Sequence, residues 1–521
     1  MNIGILYTGG TIGSVGEPLA PLSEERFAAS FLKKLAPVVQ ERYPACIMQF
    51  IPFGLSIDST NVQPKDWCSM AQAVLDNYME FDAFIILHGT DTMAWSASAL
   101  SFLLTGLNSD GYPNAVLSRP VVFTGAQLPL FKESDGELNL LFNTDAFQNV
   151  CGAFAAALAG VQEVCLYFND NLYRGNRTVK TSASDFSAFL SPNFPPLGSN
   201  GTEFFLQNDH IQHLPATASI SLDDSSARAL LREQLNYITE NISDTTVMPF
   251  LAFPATYSSS ENGNDFFLNS LLEVSLAQGV EGLILQAYGE GNFPSGNPEN
   301  PHQGALFKTL KNAHNSGTLL IDCSQVLNGV VDSQSYAAGS WLGDTGAIGA
   351  FDMTPVAVMT KMTYLLTLRD YADFNWDQRT LERLMLTNLI GEIMDVNRLD
   401  TRGKEFLAPG ESIVSLDGSV SLLNHRSLGP ILLRNADKEI LWSALNEPDG
   451  SMPGRLYMQA DGNLVFYDGS NTALYESDTA QTSDATSMLV LDGISSGIGI
   501  RLYLYNYARG ELSRVLFQEG N

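Results

Sequence analysis

The sequence predicts an α/β protein of two subdomains built on parallel sheets, followed by a small all-β domain. Three observations predict it. Short apolar runs alternate with amphipathic helical patterns through most of the chain, as βαβ units do. Two glycine-threonine turns, Tyr7-Thr8-Gly9-Gly10-Thr11-Ile12-Gly13 and His88-Gly89-Thr90-Asp91-Thr92, each follow such a run. Past about Arg402 the helical periodicity stops, and short alternating segments punctuated by Gly410, Gly418, Gly429, Gly450, Gly462 and Gly469 take over.

In chain order, the first block has strand-like runs at Ile3–Leu6, Cys46–Phe50, Phe84–Leu87, Val121–Phe123 and Val164–Phe168. Between them, Glu24–Leu35, Trp67–Asn77 and Ser96–Leu107 carry helical periodicity. Ser191 to Pro215 is rich in Pro, Gly, Asn and Ser and reads as a long surface connection. A second block has strands at Phe250–Phe253, Gly282–Gln286 and Thr318–Ile321. Its helices are Phe266–Ala277, Ala305–Ala313, Val356–Leu368 and Arg379–Met394. The domains expected are therefore 1–205, 206–400 and 403–521, with the last boundary at Arg402-Gly403.

Composition narrows the function. With 521 residues the chain exceeds the usual size of one core. Its 57 acidic against 28 basic residues give a net charge of −29, which repels a phosphate backbone and excludes nucleic-acid binding. The simplest role of that charge is solubility. No apolar run is long enough to span a bilayer. A strand-like run begins directly after Met1-Asn2, with no basic or small-residue cleavage pattern, so no secretory signal is expected. The five cysteines are scattered and odd in number, as in a cytoplasmic protein with reduced, buried thiols and no zinc spacing. No EF-hand spacing of carboxylates is present.

Turns at the carboxyl ends of parallel strands are where open α/β sheets bind ligands. Two hydroxyls and a carboxylate presented there point to nucleophilic chemistry on a small polar substrate. A threonine hydroxyl needs a nearby base to act as a nucleophile. Gly9 and Gly10 ahead of Thr11 allow a tight turn and close approach of a substrate. For Thr90 and Asp91 the competing role is to cap the helical segment that follows. For Lys180 it is that of an ordinary surface lysine in a polar loop.

These motifs closely resemble those of the bacterial L-asparaginases, specifically the cytoplasmic type I branch. The resemblance spans roughly residues 1–395. It runs through Asp58-Ser59-Thr60, Thr124-Gly125-Ala126-Gln127 and Leu172-Tyr173-Arg174-Gly175-Asn176-Arg177-Thr178-Val179-Lys180. It continues through Ser191-Pro192-Asn193-Phe194-Pro195-Pro196 and Tyr288-Gly289-Glu290-Gly291-Asn292. It implies that Thr11 attacks the side-chain carboxamide of L-asparagine and forms an acyl-enzyme, which water hydrolyses. Thr90, Asp91 and Lys180 match the family's threonine–acid–lysine relay. A lysine there accepts a proton only if desolvation lowers its pKa. Asp58, Ser59 and Thr60 match the segment that holds the α-carboxylate, Asp91 would pair with the α-ammonium, and Ala126 lies at the backbone that contacts the amide. No metal or organic cofactor is implied, and a homo-oligomer, dimer or tetramer, is expected.

Two positions depart from the family pattern. Leu19 stands where a flap tyrosine is expected, and no tyrosine occurs between Tyr7 and Tyr43. Leucine can neither donate nor accept, so turnover falls or the relay is rebuilt. Related chains are associated with lysophospholipase activity, so the altered flap also leaves open a bulkier substrate. Gln286 replaces an arginine that type I enzymes often use to hold an allosteric asparagine. A neutral amide cannot make that bidentate charged clamp.

Near the end, Gln459-Ala460-Asp461-Gly462-Asn463-Leu464-Val465-Phe466-Tyr467 places Gln459, Asp461, Asn463, Val465 and Tyr467 at alternate positions. In one strand these five share a face, with Leu464 and Phe466 on the other. The pattern matches the mannose-binding motif of the monocot bulb-type lectins, whose β-prism the segment from about Phe406 to Val515 resembles. It implies one competent site for a mannose-type glycan, because the repeats around Ile431–Trp442, Met488–Asp492 and Arg501–Tyr505 lack the polar row. The alternative is a lectin-like fold kept as a structural or dimerising module, and an α/β half serving only as its scaffold.

Overall fold

The computed structural model describes all residues except 55, 209–210, 212–219, 261–262, 332–336, 447–452, 482–485, 495–498 and 520–521. The chain forms two compact units. One comprises Met1–Thr105, Arg119–His210 and Arg228–Ile393; the other comprises Gly106–Ser118, Ile211–Ala227 and Met394–Asn521.

In the first unit, five parallel strands form the heart of an eight-stranded sheet: β1 (Asn2–Tyr7), β2 (Ile47–Phe50), β3 (Ala83–Leu87), β4 (Val121–Thr124) and β5 (Val164–Phe168). Their order is β5-β4-β3-β1-β2. The chain therefore leaves β1 toward one edge and returns to pair with β1 on its other side. That reversal opens a crevice between the carboxyl ends of β1 and β3, the place where such sheets bind ligands. Every residue of β3 and β5 is buried, which accounts for their unbroken apolar sequences.

The sheet has the expected parallel strands at its heart and is mixed as a whole. Asn171–Arg174, Gly198–Asn200 and Phe204–Leu206 add three antiparallel strands beyond β5. Part of the predicted surface connection is thus strand; much of its remainder, 209–210 and 212–219, lies outside the described residues. A second sheet of the same unit has parallel strands Val247–Leu251, Gly282–Ala287, Leu319–Ser324 and Ile348–Gly349, in that order. A helix over Ser225–Asn241, with Leu231, Leu235 and Ile238 buried at helical spacing, falls where no element was predicted.

Two predicted helices end several residues earlier than expected. The one beginning at the second turn covers Met93–Leu103, and Gly106–Leu107 is a strand pairing with Pro113–Ala115. The last helix covers Gln378–Leu386. It stops where the buried Lys361 ammonium takes the carbonyls of Met385 and Thr387, at 2.9 and 2.5 Å. The same ammonium pairs with buried Glu392 at 2.6 Å, whose carboxylate accepts the amides of Leu389 and Ile390.

In the second unit, Arg398–Asp400, Phe406–Leu407 and Ser412–Val414 are three short strands, each at the edge of a different four-stranded antiparallel sheet. Leu399, Leu407, Ile413, Leu422, Leu456, Phe466, Leu489 and Leu502 bring all three sheets onto one apolar core. The β-rich C-terminal region therefore begins before residue 403, since Arg398–Asp400 pairs with Met488–Val490.

The hairpin Gly106–Ala115 belongs to this unit as well. Tyr505 Oη donates to Asp110 Oδ2 at 2.5 Å, the Asn108 amide donates to the Tyr507 carbonyl at 3.3 Å, and the Tyr112 and Tyr505 rings lie 5.0 Å apart. Val116 exchanges backbone hydrogen bonds with Ile220 and Leu222. Among the described residues no helix is long and apolar enough to cross a membrane. All five cysteines are free thiols, four buried and Cys151 half-buried.

Candidate active site

The two glycine-threonine turns meet at the crevice. Gly9 has φ +101° and pairs with Ile57; a Cβ there would come within 2.4 Å of the Ile57 carbonyl oxygen. Gly10 has φ +83°, and a Cβ there would lie 2.3 Å from the Gly89 α-carbon. Both positions combine a left-handed backbone with no room for a side chain, so only glycine fits. The turn is pinned by Thr8, whose hydroxyl and amide both donate to the Leu87 carbonyl at 3.1 and 3.0 Å. Thr11 then opens a short 3-10 turn, Thr11–Gly13, and is half-buried.

The third segment closes on the same place. The Thr92 hydroxyl donates to the Ser59 carbonyl at 2.7 Å, and Ser59 Oγ would be 2.6 Å from a Cβ on Gly89. Asp58 accepts the amide and hydroxyl of Thr60, both at 3.0 Å, and so shapes the Ser59–Asn61 turn. Ser59 is buried, while Asp58 and Thr60 are exposed.

Lys180 reaches this cluster from the short hairpin Val179–Lys180/Phe189–Leu190. Its ammonium donates to Thr90 Oγ1 at 2.9 Å and to Asp91 Oδ1 at 2.7 Å. Thr90 is buried, whereas the Asp91 side chain is 58% exposed. The lysine thus sits in an ion pair at the rim of a cleft of about 540 Å³, beside Trp95, Val179, Pro355 and Val356.

The Arg174-Gly175-Asn176-Arg177 run explains how Lys180 is held. Arg174 pairs with Glu163 at 2.5 Å and Arg177 with Asp352 at 2.6 Å, all four buried. The two guanidinium groups lie over the Phe194 ring, at 4.6 and 5.1 Å from its centroid. A Cβ on Gly175 would fall about 3 Å from the carbonyl oxygens of Val164 and Ala97. The run is an anchor, and Lys180 is the group it delivers.

Three residues had no role assigned from sequence. His88 is fully buried, its ring nitrogens engaged by the Gly89 carbonyl and the Ser96 hydroxyl at 2.8 and 3.0 Å. Burial pushes its pKa down to about 4, so it is a neutral strut. Gln127 links Thr90, whose hydroxyl lies 3.5 Å from Gln127 Oε1, to the carbonyls of Ser182 and Asp185 at 3.3 and 3.2 Å. Asp145 is buried and accepts the amides of Gln127 and Leu128 at 2.7 and 3.0 Å. Ala126, between these loops and β4, is buried.

At the flap, Ser14–Val15 pairs with Ala20–Pro21, and Leu19 lies 51% exposed near its tip. The Tyr7 hydroxyl lies 3.3 Å from both the Gly13 and the Leu22 carbonyl, with burial raising its pKa to about 12. Stacked on Phe27 beneath the flap, Tyr7 ties its two ends together.

Comparison with known proteins decides the family. Residues 2–212 match the N-terminal asparaginase family model, and residues 267–373 match the glutaminase/asparaginase C-terminal domain. L-asparaginase 1 of Escherichia coli K12 is 32% identical over 403 residues, covering 75% of this chain and 98% of that protein. The chain belongs to the asparaginase family. A family member from Dirofilaria immitis, an L-asparaginase, is 29% identical over 520 residues, covering 94% of this chain and 76% of its own length. The mouse 60 kDa lysophospholipase is 31% identical over 392 residues, covering 69% of this chain and 58% of its own. Among solved structures, L-asparaginase I of Vibrio cholerae aligns with a TM-score of 0.56 at 29% identity, over 75% of this chain and 99% of that one. The family assignment makes the chain an amidohydrolase with an asparaginase α/β core.

In the second unit, the alternating motif does not form one strand. Arg455–Met458 and Leu464–Tyr467 are paired strands, and residues 459–463 are the turn between them. Gln459 Nε2 donates to the Tyr467 hydroxyl at 2.8 Å, and both are half-buried. Asp461 Oδ1 accepts the Asn463 amide at 3.0 Å. Asn463 turns inward, where its Oδ1 accepts the Ser477 hydroxyl at 2.9 Å and the Thr479 amide at 3.3 Å. Val465 is buried. The expectation that all five side chains share one open face is therefore corrected. A tight turn and a buried asparagine break the alternation.

Proposed function

We propose that this amidohydrolase hydrolyses the side-chain amide of L-asparagine to L-aspartate and ammonia through an ester on Thr11. The Thr11 oxygen attacks the carboxamide carbon, the carbon–nitrogen bond breaks, and ammonia leaves with the hydroxyl proton. Water then attacks the ester, releasing aspartate and restoring the hydroxyl. Lys180, Thr90 and Asp91 form the proton relay for these transfers, and Asp91 also meets the α-ammonium. Asp58, Ser59 and Thr60 take the α-carboxylate, and the backbone at Ala126 faces the amide. The observation that carries this reading is Lys180, held between Thr90 and Asp91 on the turn whose Gly89 abuts Gly10, next to Thr11. No metal or organic cofactor enters it.

The reading extends to a cytoplasmic homo-oligomer, dimer or tetramer, in which 1–205 and 206–400 are the catalytic subdomains. It also assigns 403–521 to a bulb-type lectin-like β-prism for a mannose-type glycan. Three four-stranded sheets on one core support that assignment. Gln459 and Tyr467, with Asp461 nearby, are its sugar-facing groups; Val465 backs the site and Asn463 braces it. Ammonia release from asparagine and glutamine, beside fatty-acid release from a lysophospholipid, tests the substrate. Cleavage of the lipid alone would reassign the site to a bulkier acyl group, as the exposed Leu19 on the flap allows.

A further inference from the structure

The hydrogen bonds behind the site converge on one helix that the reaction does not use. Asp145 and Asn149 stand one turn apart at the start of the helix Asp145–Ala159, so they present their side chains on one face. The two Asp145 oxygens each take one backbone amide, those of Leu128 and Gln127. The Asn149 amide donates to the Gly125 carbonyl at 3.0 Å, and its oxygen accepts the Asn169 amide at 3.0 Å. Together they fasten the backbone of 125–128, the loop leaving β4, at three points.

What that loop carries is Gln127. Its amide nitrogen donates to two carbonyls of the 181–188 turn, those of Ser182 and Asp185, while its oxygen faces the Thr90 hydroxyl. The 181–188 turn closes the hairpin that holds Lys180. Gln127 therefore cross-links the two partners of the Lys180–Thr90 hydrogen bond, and its own backbone is fixed by Asp145. We propose that Asp145, with Asn149, is a positioning residue for amide hydrolysis, acting through Gln127 to set the distance between Thr90 and Lys180. This rests on the amidohydrolase reading given above. A carboxylate suits the position because one side chain must accept two amides at once; an asparagine oxygen serves one well and leaves its NH2 group facing the other.

The test is a double-mutant cycle on the full chain with L-asparagine, using Asp145→Ala, Gln127→Met and the two combined. Positioning predicts that each single change lowers kcat about 10- to 100-fold with KM little altered, the scale of a misplaced catalytic group. The combined variant should lose no more than the worse single one, because both act through one link. Asp145→Asn should recover part of the rate. Hydrogen exchange on the same proteins should show faster exchange across 181–188 in both single variants, with thermal unfolding of Gln127→Met near wild type. Losses that multiply, or a folded Asp145→Ala enzyme with wild-type kcat, overturn the role. A wild-type chain that releases no ammonia from L-asparagine overturns the underlying reading and this role with it. Hydrolysis by the wild type, unchanged in Asp145→Ala, overturns the role alone.

Discussion

A side chain on Gly10 would begin 2.3 Å from the α-carbon of Gly89, so the two glycine-threonine turns touch through bare backbone. The contact sets Thr11 beside the turn bearing Thr90 and Asp91, and any Cβ on Gly10 must push the turns apart. Gly10→Ala should therefore cost at least about 100-fold in kcat/KM for L-asparagine, as a displacement near 1 Å does. Unchanged kinetics would mean that the spacing of the turns is not part of catalysis.

Lys180→Met separates catalysis from stability. The ion pair it removes has a partner more than half exposed, so its loss should change unfolding free energy by less than about 1 kcal/mol. Activity should fall by about 10²–10⁴-fold, the worth of a positioned proton-transfer group. Kinetics and denaturant melts on one preparation give both values.

Lys361→Met should do the reverse. Lys361 and Glu392 are fully buried, and removing the ammonium leaves a buried carboxylate without its counter-ion and takes a donor from two carbonyls. Breaking such a pair from one side costs about 3–5 kcal/mol. Urea denaturation would read the loss directly.

Asp322 makes stability depend on pH. Among the described residues neither buried carboxyl oxygen has a hydrogen-bond partner, and burial raises its pKa from 3.8 to about 8. The folded chain thus keeps a proton that the unfolded chain has released across that interval. Stability falls as pH rises from about 4 to about 8, by at most about 1.4 kcal/mol per unit, and the slope ends above the folded pKa. Asp322→Asn should flatten the curve, matching wild type most nearly at acid pH and exceeding it near pH 8. Parallel curves for the two proteins would count against this account.

Truncation after Ile393 would leave the hairpin Gly106–Ala115 without Tyr505 and Tyr507. Leu107 and Tyr112, buried in the full chain, would face water. Such a chain should melt several degrees lower and bind more of a hydrophobic dye than the full protein. An unchanged melting temperature would show that the hairpin stands by itself. The sequence gives no warning of this, because β-like texture past Arg402 reads as a separate domain with few outside partners.

The same reason separates what was legible from what was not. Strands β1, β3 and β5 were legible because buried parallel strands write themselves as apolar runs, and both threonine turns because glycine follows β1 and β3 within two residues. The end of the helix at Leu103 was not, since Leu104 and Leu107 prolong its periodicity while a partner strand at Pro113–Ala115 decides the structure. Likewise Lys361, distant in sequence, ends the helix at Leu386. Of the candidate site, Thr11, Thr90, Asp91 and Lys180 came from motifs, and the geometry joins Lys180 to Thr90 and Asp91. Gln127 and Asp145 act through hydrogen bonds across four elements, which no local pattern reveals. The motif around Asn463 misled because strict alternation describes a strand, and a five-residue turn intervenes.

The most direct measurement is ammonia release from L-asparagine by wild type and by Thr11→Ala at equal thermal stability. Thr11 lies in a half-buried turn whose backbone is fixed by Gly9, Gly10 and Thr8, so losing its hydroxyl should leave the fold intact. Wild type should release ammonia, and the variant should be slower by several orders of magnitude, as loss of a nucleophile produces. A folded Thr11→Ala protein that keeps more than about one-tenth of the wild-type rate would contradict this and move the nucleophile elsewhere, with Thr90 the next group to test.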